Sequence, residues 1–343
     1  MAIANYAYAR HLFAYVTAEN AKKIILHESF VQIKQAIQGN MDAGPKNYFT
    51  DVLEKIQTLY PSVDELGENI KCTGEISGEI GSFDYFYKDF CNKNELFLNP
   101  IGKNHQCEAA LYDPLTINRM YVKIDERDRY LKFSNYVNHL KQEFVFSRYL
   151  LAQSFYKDPH LQLVDEGVVL IDTFDYPAFS VYLEHAKSAF RIAYSILDKV
   201  AFVVNDYLEL GYKKTKIYFN ILSPLKNENI IEKVQINNPY LIALMDLASD
   251  FENGFYGNLK NLRNAFEHRF QNIRIWEIED EGAALKPDEF RGKVIEMLTI
   301  AKNAIFYLVL MIEYNEHYNK NIKENDVIPS INATVLPDIF KGY

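Results

Sequence analysis

Within the segment Leu262-Arg263-Asn264-Ala265-Phe266-Glu267-His268 the sequence gathers a guanidinium, a carboxamide and an imidazole. Near neutral pH an imidazole can take a proton from a ribose 2′-hydroxyl or return one to a leaving oxygen. A neighbouring guanidinium can hold non-bridging phosphate oxygens as negative charge concentrates on them. An amide one helical turn before the imidazole can orient the ring or bind the phosphate. The set therefore suits phosphodiester chemistry without a metal, with His268 as the proton-transfer residue, Arg263 as the phosphate and transition-state stabiliser, and Asn264 as the positioning residue. A blander alternative stands beside it: a solvated helix face on which Arg263 and Glu267, four apart, form an ion pair. The Arg-x4-His spacing alone does not separate the two.

At about 100° per residue, Leu259, Leu262, Phe266 and Phe270 fall within roughly 80° of one another and make a core stripe. Asn264 and His268 share a direction about 140–180° from Leu259, with Arg263 and Glu267 on the flank between the two faces. The imidazole is therefore expected outside this helix's own core, toward solvent, another helix or a second subunit.

The elements that must carry this segment are helical. Residues 4–38 contain no Pro or Gly up to Gly39, and Asn47–Leu59, stopped by Pro61, complete a possible αα-hairpin. From Cys72 to Pro114 the periodicity dissolves into a long connection with one short strand at Glu95–Leu98. Apolar spacings of four and seven return over 130–156. Lys157–Pro177 reads as a loop opened by Asp158-Pro159, and Ala178–Leu210 as a long helix closed by Gly211. Asn238-Pro239 opens a helix to about Phe251, broken by Gly254 and Gly257. The helix carrying the motif starts near Asn258, and Pro287 opens a last helix to about Tyr318 whose apolar middle must be buried. The expected fold is mainly α, a C-terminal helical bundle preceded by a small helical N-terminal region, without the strand–helix alternation of a doubly wound sheet.

Composition narrows the function. Forty-six acidic against 37 basic residues give a net charge of −9, which excludes a protein that coats nucleic acid non-specifically; any RNA must meet a local site on an acidic body. Three cysteines, Cys72, Cys91 and Cys107, without a CxxC pair fit a reducing cytoplasm rather than a disulfide framework. Cys91, His105 and Cys107 lack a fourth zinc ligand at suitable spacing, so no metal and no cofactor are expected. Arg10 and His11 interrupt the apolar N-terminus, which does not read as a signal peptide. The longest apolar run, Ala304–Ile312, is far short of the ~20 residues a bilayer requires, so no membrane association is expected.

Other motifs fail on inspection. Gly74, Gly78 and Gly81 look like a phosphate loop, but no Gly-Lys-Ser/Thr follows. Gly81-Ser82 would open a nucleotidyltransferase signature, but its Asp-x-Asp is absent. The acidic stretches 125–129 and 277–281 lack the convergent carboxylates of a two-metal nuclease, and Lys213-Lys214-Thr215-Lys216 reads as a solvated turn. The helix Ala178–Leu210 carries a polar stripe of Glu184, Lys187, Arg191, Ser195, Asp198 and Asn205. Arg191 on that stripe, and more weakly Arg148, are accessory candidates for a phosphate contact, and Glu267 beside His268 is a further accessory residue.

The segment Arg263-Asn264-Ala265-Phe266-Glu267-His268 resembles the signature of HEPN domains, helical bundles that carry Arg, four to six residues, then His, with Asn, Asp or His favoured after the Arg. Further segments look like one bacterial HEPN subfamily: Asn94-Glu95-Leu96-Phe97-Leu98-Asn99-Pro100, Gln142-Glu143-Phe144 with Arg148-Tyr149-Leu150, and residues 189–201. The similarity covers roughly residues 90–275. With the pass along the chain it gives an expected division into a helical N-terminal region over 1–75, which resembles no family, a connecting segment over 76–128, a HEPN bundle over 129–320 and a tail over 321–343. It also implies a metal-independent endoribonuclease that leaves a 2′,3′-cyclic phosphate and works on RNA as a homodimer, of the kind found in toxin–antitoxin and antiphage systems, with an antitoxin or sensor as a possible partner. The alternative is a non-catalytic HEPN module that binds a nucleotide, an RNA or a protein.

Overall fold

Nine α-helices, three short 3-10 helices and isolated β-bridges are the regular elements among the described residues of the computed structural model, which are 11, 19–39, 43–63, 76, 78–99, 108–117, 120, 127–171, 177–224, 230, 238–268, 273–275 and 285–317. The helices are α1 (Glu19–Gln38), α2 (Ala43–Leu59), α3 (Phe83–Lys93), α4 (Arg127–Phe155), α5 (Pro159–Glu166), α6 (Val181–Tyr207), α7 (Pro239–Asn253), α8 (Gly257–His268) and α9 (Pro287–His317). The fold is mainly α, as the periodicity requires. Residues 4–10, the acidic stretch 277–281, Phe270, Cys72, His105, Cys107 and the tail 321–343 lie outside the described residues.

Local chemistry sets most helix starts. Asn238 accepts from the amides of Tyr240 (3.0 Å) and Leu241 (3.3 Å), and Pro239 supplies the first turn, where its missing N–H costs nothing. Ser180 accepts from Leu183 and, with Asp165 accepting from Val181, caps α6. Pro287 starts α9, with Asp288 and Glu289 in its first turn.

The chain divides into two structural units. The first comprises Met1–Pro114, Phe144–Tyr194 and Leu259–Lys302. In it α1 and α2 pair around Phe30, Ile33, Phe49, Val52, Ile56 and Val63, and His27 Nδ1 lies 2.7 Å from the Val63 carbonyl oxygen. A second centre of this unit is Arg148, only 2% exposed. It donates to both carboxylate oxygens of Asp113 (2.9 and 2.8 Å), to the Leu96 carbonyl (2.8 Å) and to the Tyr87 hydroxyl (2.9 Å), and the Phe97 ring lies 4.6 Å from its guanidinium. Burial pushes the Tyr87 hydroxyl and the Cys91 thiol each up to about 12, so both stay protonated here. The first half of α9 adds Phe290, Val294, Met297, Leu298 and Ala301 to the core.

The second unit comprises Leu115–Glu143, Ser195–Asn258 and Asn303–Tyr343. Here Asn238 donates to the Met311 carbonyl and to Asn315 (both 2.8 Å), tying the start of α7 to α9. Glu316, 2% exposed, accepts from Arg129 (3.2 Å) and Tyr207 (2.9 Å). Helix α9 is long and apolar enough to cross a membrane by composition, yet its residues 308–312 are buried within this unit.

Four sequence expectations need correction. The connection read over 72–114 contains the 11-residue helix α3, started by Ser82, whose hydroxyl accepts from the Tyr85 amide (3.2 Å). Glu95–Leu98 is no strand. Glu95 (φ 55°) takes the left-handed position after α3, and the amides of Glu95 and Leu96 bond back to the carbonyls of Asn92 (3.0 Å) and Cys91 (2.8 Å). This is a Schellman closure with Glu where Gly is usual. Lys157–Pro177 is not all loop, because Asp158 accepts from the His160 amide (2.9 Å) and starts α5. That helix buries no residue, so it shows no apolar stripe. Helix α6 ends at Tyr207 rather than Leu210: Glu209 (φ 52°) is left-handed and the Leu210 amide bonds to the Asn205 carbonyl (3.0 Å), the same closure again. Gly211, to which the sequence assigns this cap, lies beyond it.

The Arg148 cluster yields a stability expectation. Removing one partner of a buried pair leaves the other charge uncompensated, so Asp113→Ala should cost about 3–5 kcal/mol. Urea-induced unfolding of the two purified proteins measures it; a cost under about 1 kcal/mol, the range of an exposed ion pair, would show that Asp113 does not neutralise Arg148.

Candidate functional site

Helix α8 is anchored by one aromatic side chain of the motif itself. Phe266 is 8% exposed, and Phe190 of α6 and Phe290 of α9 are fully buried. Their ring centroids are 6.0 Å (Phe190–Phe266), 5.0 Å (Phe266–Phe290) and 6.1 Å (Phe190–Phe290) apart, with tilted and edge-to-face geometry. Leu259, fully buried, continues the stripe about two turns earlier, while Leu262 is half-buried. Beyond α8, Ile273 and Arg274 lie in bridges to Leu285 and Pro177, and the Ala178 amide donates to the Ile273 carbonyl (2.7 Å).

With Phe266 inward, Arg263 and Asn264 turn outward. Asn264 is exposed and Arg263 half-exposed. Arg263 Nη1 donates to Asn264 Oδ1 at 3.2 Å, and the Arg263 guanidinium lies over the Tyr194 ring, 5.4 Å from its centroid. His268 is the last residue of α8. The side chains of Glu267 and His268 lie outside the described residues.

The accessory candidates divide. Arg191, half-exposed on α6, donates from Nη2 to the Phe266 carbonyl at 3.3 Å, two residues before His268. A cation there also meets the negative end of the helix dipole. Arg148 is not a phosphate contact in this structure. Asp113, Leu96 and Tyr87 occupy its N–H groups, and burial closes it to a ligand. The polar stripe of α6 is bonded both within the helix and to neighbouring backbone. Glu184 pairs with Lys187 (2.6 Å), Asp198 accepts from the Phe219 amide (2.8 Å), and Asn205 accepts from the Tyr212 amide (3.0 Å).

Tyr194 escapes a search of the sequence for chemistry. Its only signal is position, three residues after Arg191 and four after Phe190, which places all three toward one side of α6. Among the described residues no group of His, Cys, Asp and Glu is placed to hold a metal ion.

Residues 124–315, just over half of the chain, match the LA2681-like HEPN family. No curated protein and no solved structure matches the chain.

The packing sets a contrast between two neighbours in the motif. Phe266→Ala should destabilise the protein by about 3–5 kcal/mol, the range for a buried Phe. Asn264→Ala, exposed, should stay within about 0.5 kcal/mol of the parent. Denaturant unfolding compares them, and equal effects would mean that Phe266 does not anchor α8.

Proposed function

We propose that this chain, which belongs to the LA2681-like HEPN family, is a metal-independent endoribonuclease whose active residues are Arg263, Asn264 and His268. The observation that carries the reading is the juxtaposition at α8: an outward Arg263–Asn264 pair bonded at 3.2 Å, on a helix that ends at His268 and is fixed from behind by Phe266. In the reaction the ribose 2′-oxygen attacks the adjacent phosphorus and loses its proton. The bond from phosphorus to the 5′-oxygen breaks, and that oxygen leaves with a proton. The products are a 2′,3′-cyclic phosphate and a 5′-hydroxyl, with no water consumed. His268 transfers a proton, Arg263 holds the non-bridging oxygens as charge gathers on them, and Asn264 positions the phosphate or the imidazole.

One motif supplies one imidazole, whereas the reaction needs both a proton acceptor and a proton donor. A two-fold homodimer that faces two motifs across one cleft supplies the second without new sequence. An RNA phosphate between the paired arginines then offsets their repulsion. Such a nuclease suits a toxin or antiphage effector of the cytoplasm held in check by an antitoxin or sensor. A second reading, a module that binds a nucleotide, RNA or protein without cleaving it, draws on the same bond: an Arg263 N–H directed at Asn264 is one donor fewer for a transition state.

His268→Ala should lower RNA cleavage by ~10²–10⁴-fold, the usual contribution of a general acid–base group, with an unchanged melting temperature. Cleavage by the parent should persist in excess EDTA, and mass spectrometry of the products should find the cyclic phosphate. Full activity in His268→Ala, or a 3′-hydroxyl product restored only by Mg²⁺, rejects the assignment. RNA binding without turnover by the parent selects the second reading.

The dimer has its own test. Mixed dimers of parent and His268→Ala chains, separated by two different tags and weighed in solution, should retain less than half of the parent's activity. A monomer that cleaves RNA at its working concentration refutes the composite site.

A further inference from the structure

We propose that Tyr194 and Arg191 of α6 are positioning residues that grip the two ends of the motif turn, Tyr194 holding the Arg263 guanidinium in place and Arg191 holding the backbone that carries His268. This deepens the ribonuclease reading of α8 and rests on it.

The argument begins with what an isolated α8 would do. The helix has only 12 residues, a length at which helices are marginal unless packed. Its last four carbonyls have no partner within the helix. The final turn, which contains Phe266 and His268, is therefore where it would fray. Arginine side chains are long and lose considerable rotamer freedom when a single geometry is imposed. A site that needs the guanidinium and the imidazole at a fixed separation must restrain both the turn and the arginine.

Helix α6 supplies both restraints. Its Phe190 packs on Phe266 at 6.0 Å, which makes this stretch of α6 a firm platform. Arg191, the next residue, donates to the Phe266 carbonyl at 3.3 Å. That satisfies one carbonyl of the last turn and places a positive charge where the helix dipole is negative. Tyr194, three residues on, presents its ring face to the Arg263 guanidinium at 5.4 Å. Cation–π contact is broad in direction along the ring but confines the guanidinium to one side of it. The Asn264 oxygen, at 3.2 Å from Nη1, fixes the remaining rotation. Neither Tyr194 nor Arg191 has to touch the substrate to matter. They act through Arg263 and through the end of α8, and this distinguishes them from the phosphate contact that the sequence suggests for Arg191.

The test uses the full chain and four variants: Arg191→Ala, Arg191→Lys, Tyr194→Leu and Tyr194→Phe. Hydrogen exchange, followed in peptides across 257–268 with α9 as internal reference, reads the grip without reference to activity. Arg191→Ala should speed exchange of the last-turn amides about two- to fivefold, as expected for loss of a cation at a helix C-terminus, and leave α9 unchanged. Arg191→Lys, which keeps the charge, should restore most of the protection. In steady-state RNA cleavage, Tyr194→Leu and Arg191→Ala should lower kcat by roughly 10- to 100-fold, the scale of a misplaced reacting group, with KM within about twofold of the parent. Tyr194→Phe keeps the ring face and should remain within about threefold of the parent.

Unchanged exchange in Arg191→Ala overturns the grip at the helix end. A rise in KM at constant kcat would instead make Arg191 or Tyr194 a direct substrate contact and overturn the positioning role. Tyr194→Phe as damaging as Tyr194→Leu would assign the work to the hydroxyl and overturn the ring contact. A parent chain that cleaves no RNA rejects the ribonuclease reading alone, and the exchange arm still decides whether the grip exists.

Discussion

Three phenylalanine rings decide which way the motif faces. Phe266 is one of the residues between Arg263 and His268, so burying it against Phe190 and Phe290 sets the rotation of the whole turn. A helix advances by about 100° per residue. Once position 266 points inward, Asn264 is about 160° away from it and is exposed. The segment cannot change its exposure without giving up an aromatic cluster, so the hydrophobic choice at one position dictates the polar chemistry available at its neighbours. The burial of α6 and α9 stretches that carry Phe190 and Phe290 matters to the site for this reason, although neither ring need meet a substrate.

The three arginines singled out by the sequence show how surroundings sort one residue type into different work. Arg148 sits in a dry pocket and is neutralised by Asp113, with every remaining bond made inside the chain. Such a pair contributes little net stability but is costly to break. Arg191 is half-exposed and bonded to a backbone carbonyl, which restrains a helix end. Arg263 is half-exposed with its flat face on an aromatic ring and its edge toward Asn264. Arg263 combines charge, partial exposure and a direction fixed by side chains, the combination that recognition of a phosphate requires.

Much of the fold was legible because helix starts carry their own chemistry. Asn238-Pro239 and Pro287 place a cap or a proline where the first turn needs it, and both helices begin there. Asp158-Pro159 is the same signal. There the helix buries nothing and so offers no apolar period to follow the cap. Helix ends were harder. Glu95 and Glu209 adopt a left-handed backbone that the sequence would assign to glycine, and the stabilising bonds run to carbonyls within the preceding helices. The wheel correctly put Arg263 and Asn264 outside the core stripe. It could not find Tyr194, because a ring contact between α6 and α8 depends on the packing of residues 69 apart in sequence, nor the pairing of Arg148 with Asp113 across 35 residues.

The Arg148 cluster also bears on where this protein can be cut. The span that matches the HEPN family runs from 124 to 315 and includes Arg148, yet Tyr87, Leu96 and Asp113 all precede it. A chain trimmed to the matched span would keep the guanidinium and discard the carboxylate, the carbonyl and the hydroxyl that make its burial tolerable. Its Arg148 would lose all three partners and open to water, and the buried cluster built around it would go with them. Residues before the matched span thus supply partners to a buried residue within it, so a boundary drawn at 124 cuts through one cluster.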